Sequence, residues 1–275
     1  MRSLQLYGWK DNFGDALNYW LWPRFYPGQT DGNDALLLGI GTVLSTDVPA
    51  EPPRKFVLGA GAGNSPLPPV DDRWTFLAVR GPRTAAKLGL PAATAVTDSA
   101  LLIRAFIEPA AERPHTVSFM PHIISAYSEE WKPIADALGF HYIDPRSSLE
   151  SVMEDIRGSE LVLTEAMHGA IVADAFRVPW IRVQSGERHA PTSKWIDWTE
   201  SLNLAHRSHN IPFLWQRPPA ERQSFRAIGA RLLGRERLRW IRRTATPQLS
   251  SDADCTRALT RLMEQVDVLK RWLSD

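Results

Sequence analysis

The run Leu161-Val162-Leu163-Thr164-Glu165-Ala166-Met167-His168-Gly169-Ala170-Ile171 joins a short apolar segment to a stretch of small apolar residues. It reads as a buried strand opening into a helix, with Glu165 and His168 at the junction. An imidazole there can donate to an anionic ligand or pass a proton near neutral pH. Glu165 and His168 are therefore the candidate catalytic residues. The competing reading of His168 is a structural histidine satisfied by its neighbours.

Cations and turn residues supply the candidate binding groups. Val79-Arg80-Gly81-Pro82-Arg83-Thr84 sets a guanidinium at a strand end beside a helix N-terminus, a pairing that suits phosphate or carboxylate. Arg80 and Arg83 are candidates for such contacts, against the alternative of an interdomain salt bridge. Asp98, followed by Ser99, is expected to line the same crevice. Asn12-Phe13-Gly14-Asp15 suits a sharp strand-to-helix turn. In it Asp15 either caps a helix starting near Ala16 or, with Asn12 and Gly14, contacts a sugar hydroxyl or the donor. Arg182, Arg188, His189 and Lys194 gather around the loop after another strand. Trp195 and Trp198 beyond them fit either sugar stacking or the docking of a helix. Gly39-Ile40-Gly41-Thr42 and Gly59-Ala60-Gly61-Ala62-Gly63-Asn64 follow strands, but neither is a GxGxxG or Walker sequence. Tight turns explain them as well as ligand contact does.

The elements that must position these residues alternate as in a parallel α/β sheet. The first half predicts strands at Ser3–Tyr7, Ala35–Gly39, Lys55–Leu58, Trp74–Val79 and Ala95–Thr97, with helices at about Asp15–Trp22 and Pro82–Leu88. The stretch Ile107-Glu108-Pro109-Ala110-Ala111-Glu112-Arg113-Pro114 has linker composition. Beyond it come strand Thr116–Met120, helix Glu129–Leu138, strand His141–Ile143, helix Leu149–Arg157, strand Leu161–Thr164, helix His168–Phe176 and strand Trp180–Val183. The expected organisation is an N-terminal Rossmann-like domain over 1–108, a second over 115–215 and a helical, Arg-rich C-terminal extension over 216–275. Two such α/β domains facing a central cleft would resemble the GT-B arrangement, with ligands at the carboxyl ends of the strands.

Composition is consistent with this reading. The 275 residues are 44% hydrophobic and 23% charged, as in ordinary globular proteins. Cys255 is the only cysteine, which excludes an intrachain disulfide and a Cys-based metal site. The start, Met1-Arg2-Ser3-Leu4-Gln5-Leu6-Tyr7-Gly8, is too short and polar for a signal-peptide core, and no run approaches the ~18 apolar residues of a membrane span. A soluble cytoplasmic protein is expected, possessing no metal site.

Taken together, Asn12-Phe13-Gly14-Asp15, Val79-Arg80-Gly81-Pro82-Arg83, Thr97-Asp98-Ser99 and Met167-His168-Gly169 followed by Ala173-Asp174-Ala175 resemble the polysaccharide pyruvyl transferase family. Their order and spacing match from about Leu4 to Trp198. The resemblance implies phosphoenolpyruvate as donor, a sugar of a growing exopolysaccharide or cell-surface glycan as acceptor, a cyclic pyruvate ketal as product, and no cofactor. It gives His168 donor binding and proton donation, and Arg80 a hold on the donor's phosphate or carboxylate. Many members carry an arginine two residues before the histidine, where this chain has Ala166. Arg182, Arg188 or Lys194 would then supply the charge, or the anionic donor differs.

The C-terminal segment departs from the rest. Arg217 to Arg243 holds nine Arg against Glu221 and Glu236, a local charge of +7 in a chain whose total is +1, so the remainder is near −6. Apolar residues interleave with the arginines. Such a stretch over 217–243 can lie on an anionic lipid surface, at the inner face of the membrane and near a lipid-linked acceptor. Alternatively it packs its apolar side on the protein. Nucleic acid is not expected as a partner, since no recognised motif is present. Two other functions stay open at this level: a GT-B-like glycosyltransferase using a nucleotide sugar, and a non-catalytic glycan-binding protein.

Overall fold

The computed structural model describes residues 2–185, 192–214 and 225–275. In chain order its elements are β1 (Leu4–Leu6), α1 (Phe13–Phe25), β2 (Ala35–Leu38), β3 (Lys55–Leu58), β4 (Trp74–Ala78), α2 (Pro82–Lys87), β5 (Ser118–Met120), α3 (Ile123–Ala126), α4 (Trp131–Leu138), β6 (His141–Tyr142), α5 (Leu149–Arg157), β7 (Val162–Thr164), α6 (Met167–Ala175), β8 (Trp180–Gln184), α7 (Thr192–Ser201), β9 (His209–Asn210), α8 (Phe225–Thr244) and α9 (Asp252–Ser274). Short 3₁₀ turns cover Ala92–Thr94 and Ser99–Ala105. This is an α/β protein with two parallel sheets.

The chain divides into two compact units that are discontinuous in sequence. One comprises Met1–Ile107, Pro191–His206 and Ser250–Asp275; the other comprises Glu108–Ala190 and Arg207–Leu249. A reading along the sequence draws contiguous segments, because it cannot see that α7 and α9 pack with the first unit. The helical, Arg-rich extension is thus shared, α8 belonging to the second unit and α9 to the first.

In the first unit the sheet order is β1-β2-β3-β4, all parallel. β2 and β3 are buried along their whole length, as Leu36-Leu37-Leu38 and Phe56-Val57-Leu58 require once both faces are covered. α1 begins at Phe13, three residues before the position expected from the turn. Asn12 is its cap, the side chain accepting from the N–H groups of Gly14 and Asp15. The helix also runs on through Pro23 to Phe25. The strand expected at Ala95–Thr97 shrinks to one bridge, Val79 to Ala95, flanked by the 3₁₀ turns. α9 turns Cys255, Ala258, Leu262, Val266, Leu269 and Leu273 inward at three- and four-residue spacing. Tyr26 donates its hydroxyl to the Val266 carbonyl at 3.0 Å, fastening α1 to this helix.

The second unit's sheet has the order β6-β5-β7-β8-β9, again parallel. Its core joins Phe119, Trp131, Leu163, Ile181, Leu238 and Ile241. β9 escapes a sequence reading because two residues carry no periodicity. No helix among the described residues is long and apolar enough to cross a membrane.

Candidate functional site

Strand order alone singles out one edge of the second unit. β6 and β7 lie on opposite sides of β5, so the connections leaving β5 and β7 diverge and open a crevice at their carboxyl ends. Open α/β sheets bind ligands at such a switch point. β5 runs out into Pro121-His122 and β7 into Glu165-Ala166-Met167-His168. His168 occupies the second position of α6 and is half-buried. Ala166 is the N-cap of α6 and gives no side-chain cap, leaving the first-turn N–H groups to other partners. Gly169 is needed here: a Cβ would lie 2.7 Å from Met120 Sδ and 2.7 Å from Thr164 Oγ1.

Glu165 fastens the strand ends together. It is only 2% exposed. One carboxylate oxygen accepts from the His122 N–H at 3.2 Å and the other from the Ser185 N–H at 3.0 Å. It thereby links the ends of β5, β7 and β8. Burial pushes its carboxyl up, against hydrogen bonds from the Ser185 and Ser125 side chains and from the two backbone amides. Arg182 of β8 is paired in register with Thr164, so the two side chains share a face of the sheet. It is buried, and its Nη2 donates to Gln184 Oε1 at 2.6 Å.

The first unit satisfies its motifs internally. Arg80 is fully buried and donates from Nε to Asp197 Oδ2 at 3.0 Å, from Nη1 to Thr42 Oγ1 at 2.6 Å and from Nη2 to the Ala62 carbonyl at 3.0 Å. Asp197 of α7 also accepts from the N–H groups of Arg83 and Thr84 and from Thr84 Oγ1, so it caps α2. The anion suited to this guanidinium and helix start is thus a carboxylate of the chain itself. Its partner lies in the same unit, so the salt bridge is not interdomain. Arg83 forms an exposed fork with Glu200. Asp98 caps the second 3₁₀ turn through the Ala100 N–H. Trp195 and Trp198 are buried edge to face at 6.2 Å, which makes them helix-docking residues rather than a sugar platform.

The glycine clusters serve close packing. A Cβ at Gly61 would sit 2.1 Å from Arg80 Cζ, and Gly59, at φ +91, backs onto Ser99. Asn18 carries weight that its sequence context conceals. Its amide bridges the Ile40 N–H and carbonyl and accepts from Trp22 Nε1, tying α1 to the loop after β2.

The family model for polysaccharide pyruvyl transferase matches residues 8–186. The chain belongs to the polysaccharide pyruvyl transferase family. It is similar to the succinoglycan biosynthesis protein ExoV of Rhizobium meliloti (strain 1021), with 41% identity over 206 residues. That match covers 73% of this chain and 65% of the relative's length.

In this pyruvyl transferase family member the matched span contains Asn12, Gly14, Asp15, Arg80, Arg83, Asp98, Glu165, His168 and Arg182. Of these, Glu165, His168 and Arg182 belong to the second unit, while the first six belong to the other. Lys194 is on α7, in the first unit. Arg188 and His189 lie outside the described residues. His122, whose backbone N–H meets Glu165, is a lone residue after a short strand and gives no signal in the sequence.

A second cluster, His115, His141 and Asp155, lies at the opposite, amino end of this sheet. The two rings stack at 3.7 Å with planes 3° from parallel, and His141 Nε2 meets Asp155 Oδ1 at 2.9 Å. Stacked parallel rings share no in-plane point, so they do not suit a common metal ion without turning. Burial, then the neighbouring His141, holds His115 below the ordinary imidazole range.

Glu165 also sets a pH dependence. Its folded pKa is raised, so the folded state binds more protons above the ordinary carboxylate value of 4.5. Its stabilising contribution is full below that value and is lost as pH rises through the raised pKa. Urea unfolding across that range is expected to show stability declining with pH relative to Glu165→Gln. Parallel curves for the two proteins would refute the assignment.

Proposed function

We propose that this chain transfers pyruvate from phosphoenolpyruvate to a glycan acceptor in exopolysaccharide synthesis; its relative ExoV is named for succinoglycan biosynthesis. The observation that carries the reading is His168 at the carboxyl ends of the switch-point strands, within the span matched by the family. His168 binds the donor and protonates its methylene carbon. A sugar hydroxyl adds to the oxocarbenium-like C2, and the C2–O bond to phosphate breaks. A second hydroxyl then closes the ketal; of the two protons the hydroxyls give up, one restores the histidine and the other leaves with the phosphate. No cofactor enters this scheme.

The α6 N-terminus and Arg182 would supply the positive charge for the donor where position 166 is an alanine. Arg80, held by Asp197, acts as a positioning residue. Arg83, Arg188 and Lys194 are kept as candidates for contacts with the anionic donor, Asp98 for lining the crevice, and Asn12, Gly14 and Asp15 for a sugar hydroxyl or the donor. The GT-B-like arrangement, a cytoplasmic location at the inner membrane face and a lipid-linked acceptor belong to the same proposal.

Calorimetric titration of the full chain with phosphoenolpyruvate, and separately with nucleotide sugars, tests it. Binding of phosphoenolpyruvate alone is expected. Binding of a nucleotide sugar alone would replace the reading with a glycosyltransferase.

A further inference from the structure

α8 turns one face inward and leaves another open. Ala227, Gly234, Leu238 and Ile241 are buried, while Ile228, Leu232, Leu233 and Trp240 are exposed, by 42%, 55%, 54% and 49%. Counting roughly 100° per residue, the four exposed side chains fall within an arc of about 140°. Arginines lie in and beside that arc. Arg239 and Arg243 fall between the apolar residues, Arg235 and Arg242 flank one side, and Arg237 flanks the other with its guanidinium 4.9 Å from the Trp240 ring. Glu236 is the acidic residue on this face, where it accepts from Arg239. At the end of the helix Arg239, Arg242 and Arg243 border an open cavity of about 260 Å³ that Gly139 and Phe140 also line.

We infer that this face of α8 docks the protein on an anionic lipid bilayer, with the arginine-lined cavity receiving a headgroup phosphate. Large apolar side chains interleaved with guanidinium groups match the boundary between acyl chains and headgroups, where long cations reach back to the phosphates. Pairing with a second copy through the same face would set arginines against arginines, since a two-fold interface is self-complementary. The charge therefore selects a negatively charged surface. This inference deepens the proposed function by naming the surface that would carry a lipid-linked acceptor, yet it requires no turnover to test.

The test is co-flotation of the full chain with vesicles of phosphatidylcholine alone and of phosphatidylcholine mixed with phosphatidylglycerol. Two exposed-site variants accompany it, Leu232→Gln with Trp240→Gln, and Arg239→Gln with Arg242→Gln and Arg243→Gln. Circular dichroism checks that both stay folded. The wild type is expected on the anionic vesicles only, and the triple variant to partition about a hundredfold less, at several-fold per surface arginine. The double variant is expected to lose flotation as well. Equal binding to neutral vesicles, no flotation, flotation of the triple variant at the wild-type level, or dimerisation abolished by the double variant would each overturn the inference. Transfer to a lipid-free oligosaccharide, measured on the same proteins, reports separately on the proposed reaction.

Discussion

Replacing His168 by alanine is expected to lower kcat/KM for pyruvyl transfer by about 10²–10⁴-fold, the range that a positioned acid contributes. The side chain sits on the second residue of α6 with Gly169 behind it, so removing the imidazole leaves the α6 backbone and the Glu165 contacts in place. The loss should therefore appear without a fall in melting temperature. Steady-state kinetics separates the two duties assigned to the ring. A fall in kcat means that it serves the chemical step, whereas a rise in KM with kcat retained means that it only holds the donor. Unchanged kinetics in a folded variant would remove His168 from the mechanism.

Asp197→Ala carries the largest expected effect on stability, about 3–5 kcal/mol, the usual result of stripping a buried charge of its partner. The Arg80 guanidinium would keep Thr42 and the Ala62 carbonyl but lose its counter-ion in a fully buried setting. The same change deprives α2 of the acceptor for the Arg83 and Thr84 N–H groups. Adding Arg80→Met to Asp197→Ala should recover part of the loss, since no orphaned charge then remains. Calorimetric melting of the three proteins checks this. A single-variant loss below about 1 kcal/mol would mean that the pair is not buried as described.

Both expectations rest on residues that a reading of sequence treats in different ways. Glu165 and His168 are legible because chemistry and local structure coincide within a few residues: a largely apolar, buried strand, then two titratable groups at the start of a helix of small residues. His122 is not legible, because its approach to Glu165 depends on β5 and β7 lying side by side across 43 residues of chain. Arg80 shows the opposite difficulty. An arginine before Gly-Pro at a helix start advertises an anion, and the anion is real, but it is Asp197, 117 residues away. Nothing in the local sequence separates a ligand's carboxylate from one of the protein's own.

The alternation of apolar runs and amphipathic segments determined the α/β class and placed most strands and helices within a few residues, because strand and helix periodicities are properties of short windows. Asn12 shows how ends shift: its side chain, accepting from the Gly14 and Asp15 N–H groups, sets the start of α1 two to three residues earlier than expected. Only the tertiary structure decided strand order, and with it the switch point beside His168. The same holds for the sharing of α7 and α9 with the first unit and the exposed face of α8. Each of these depends on which surfaces meet after distant segments pack, and burial of apolar area is a sum over the whole chain rather than over any window of it.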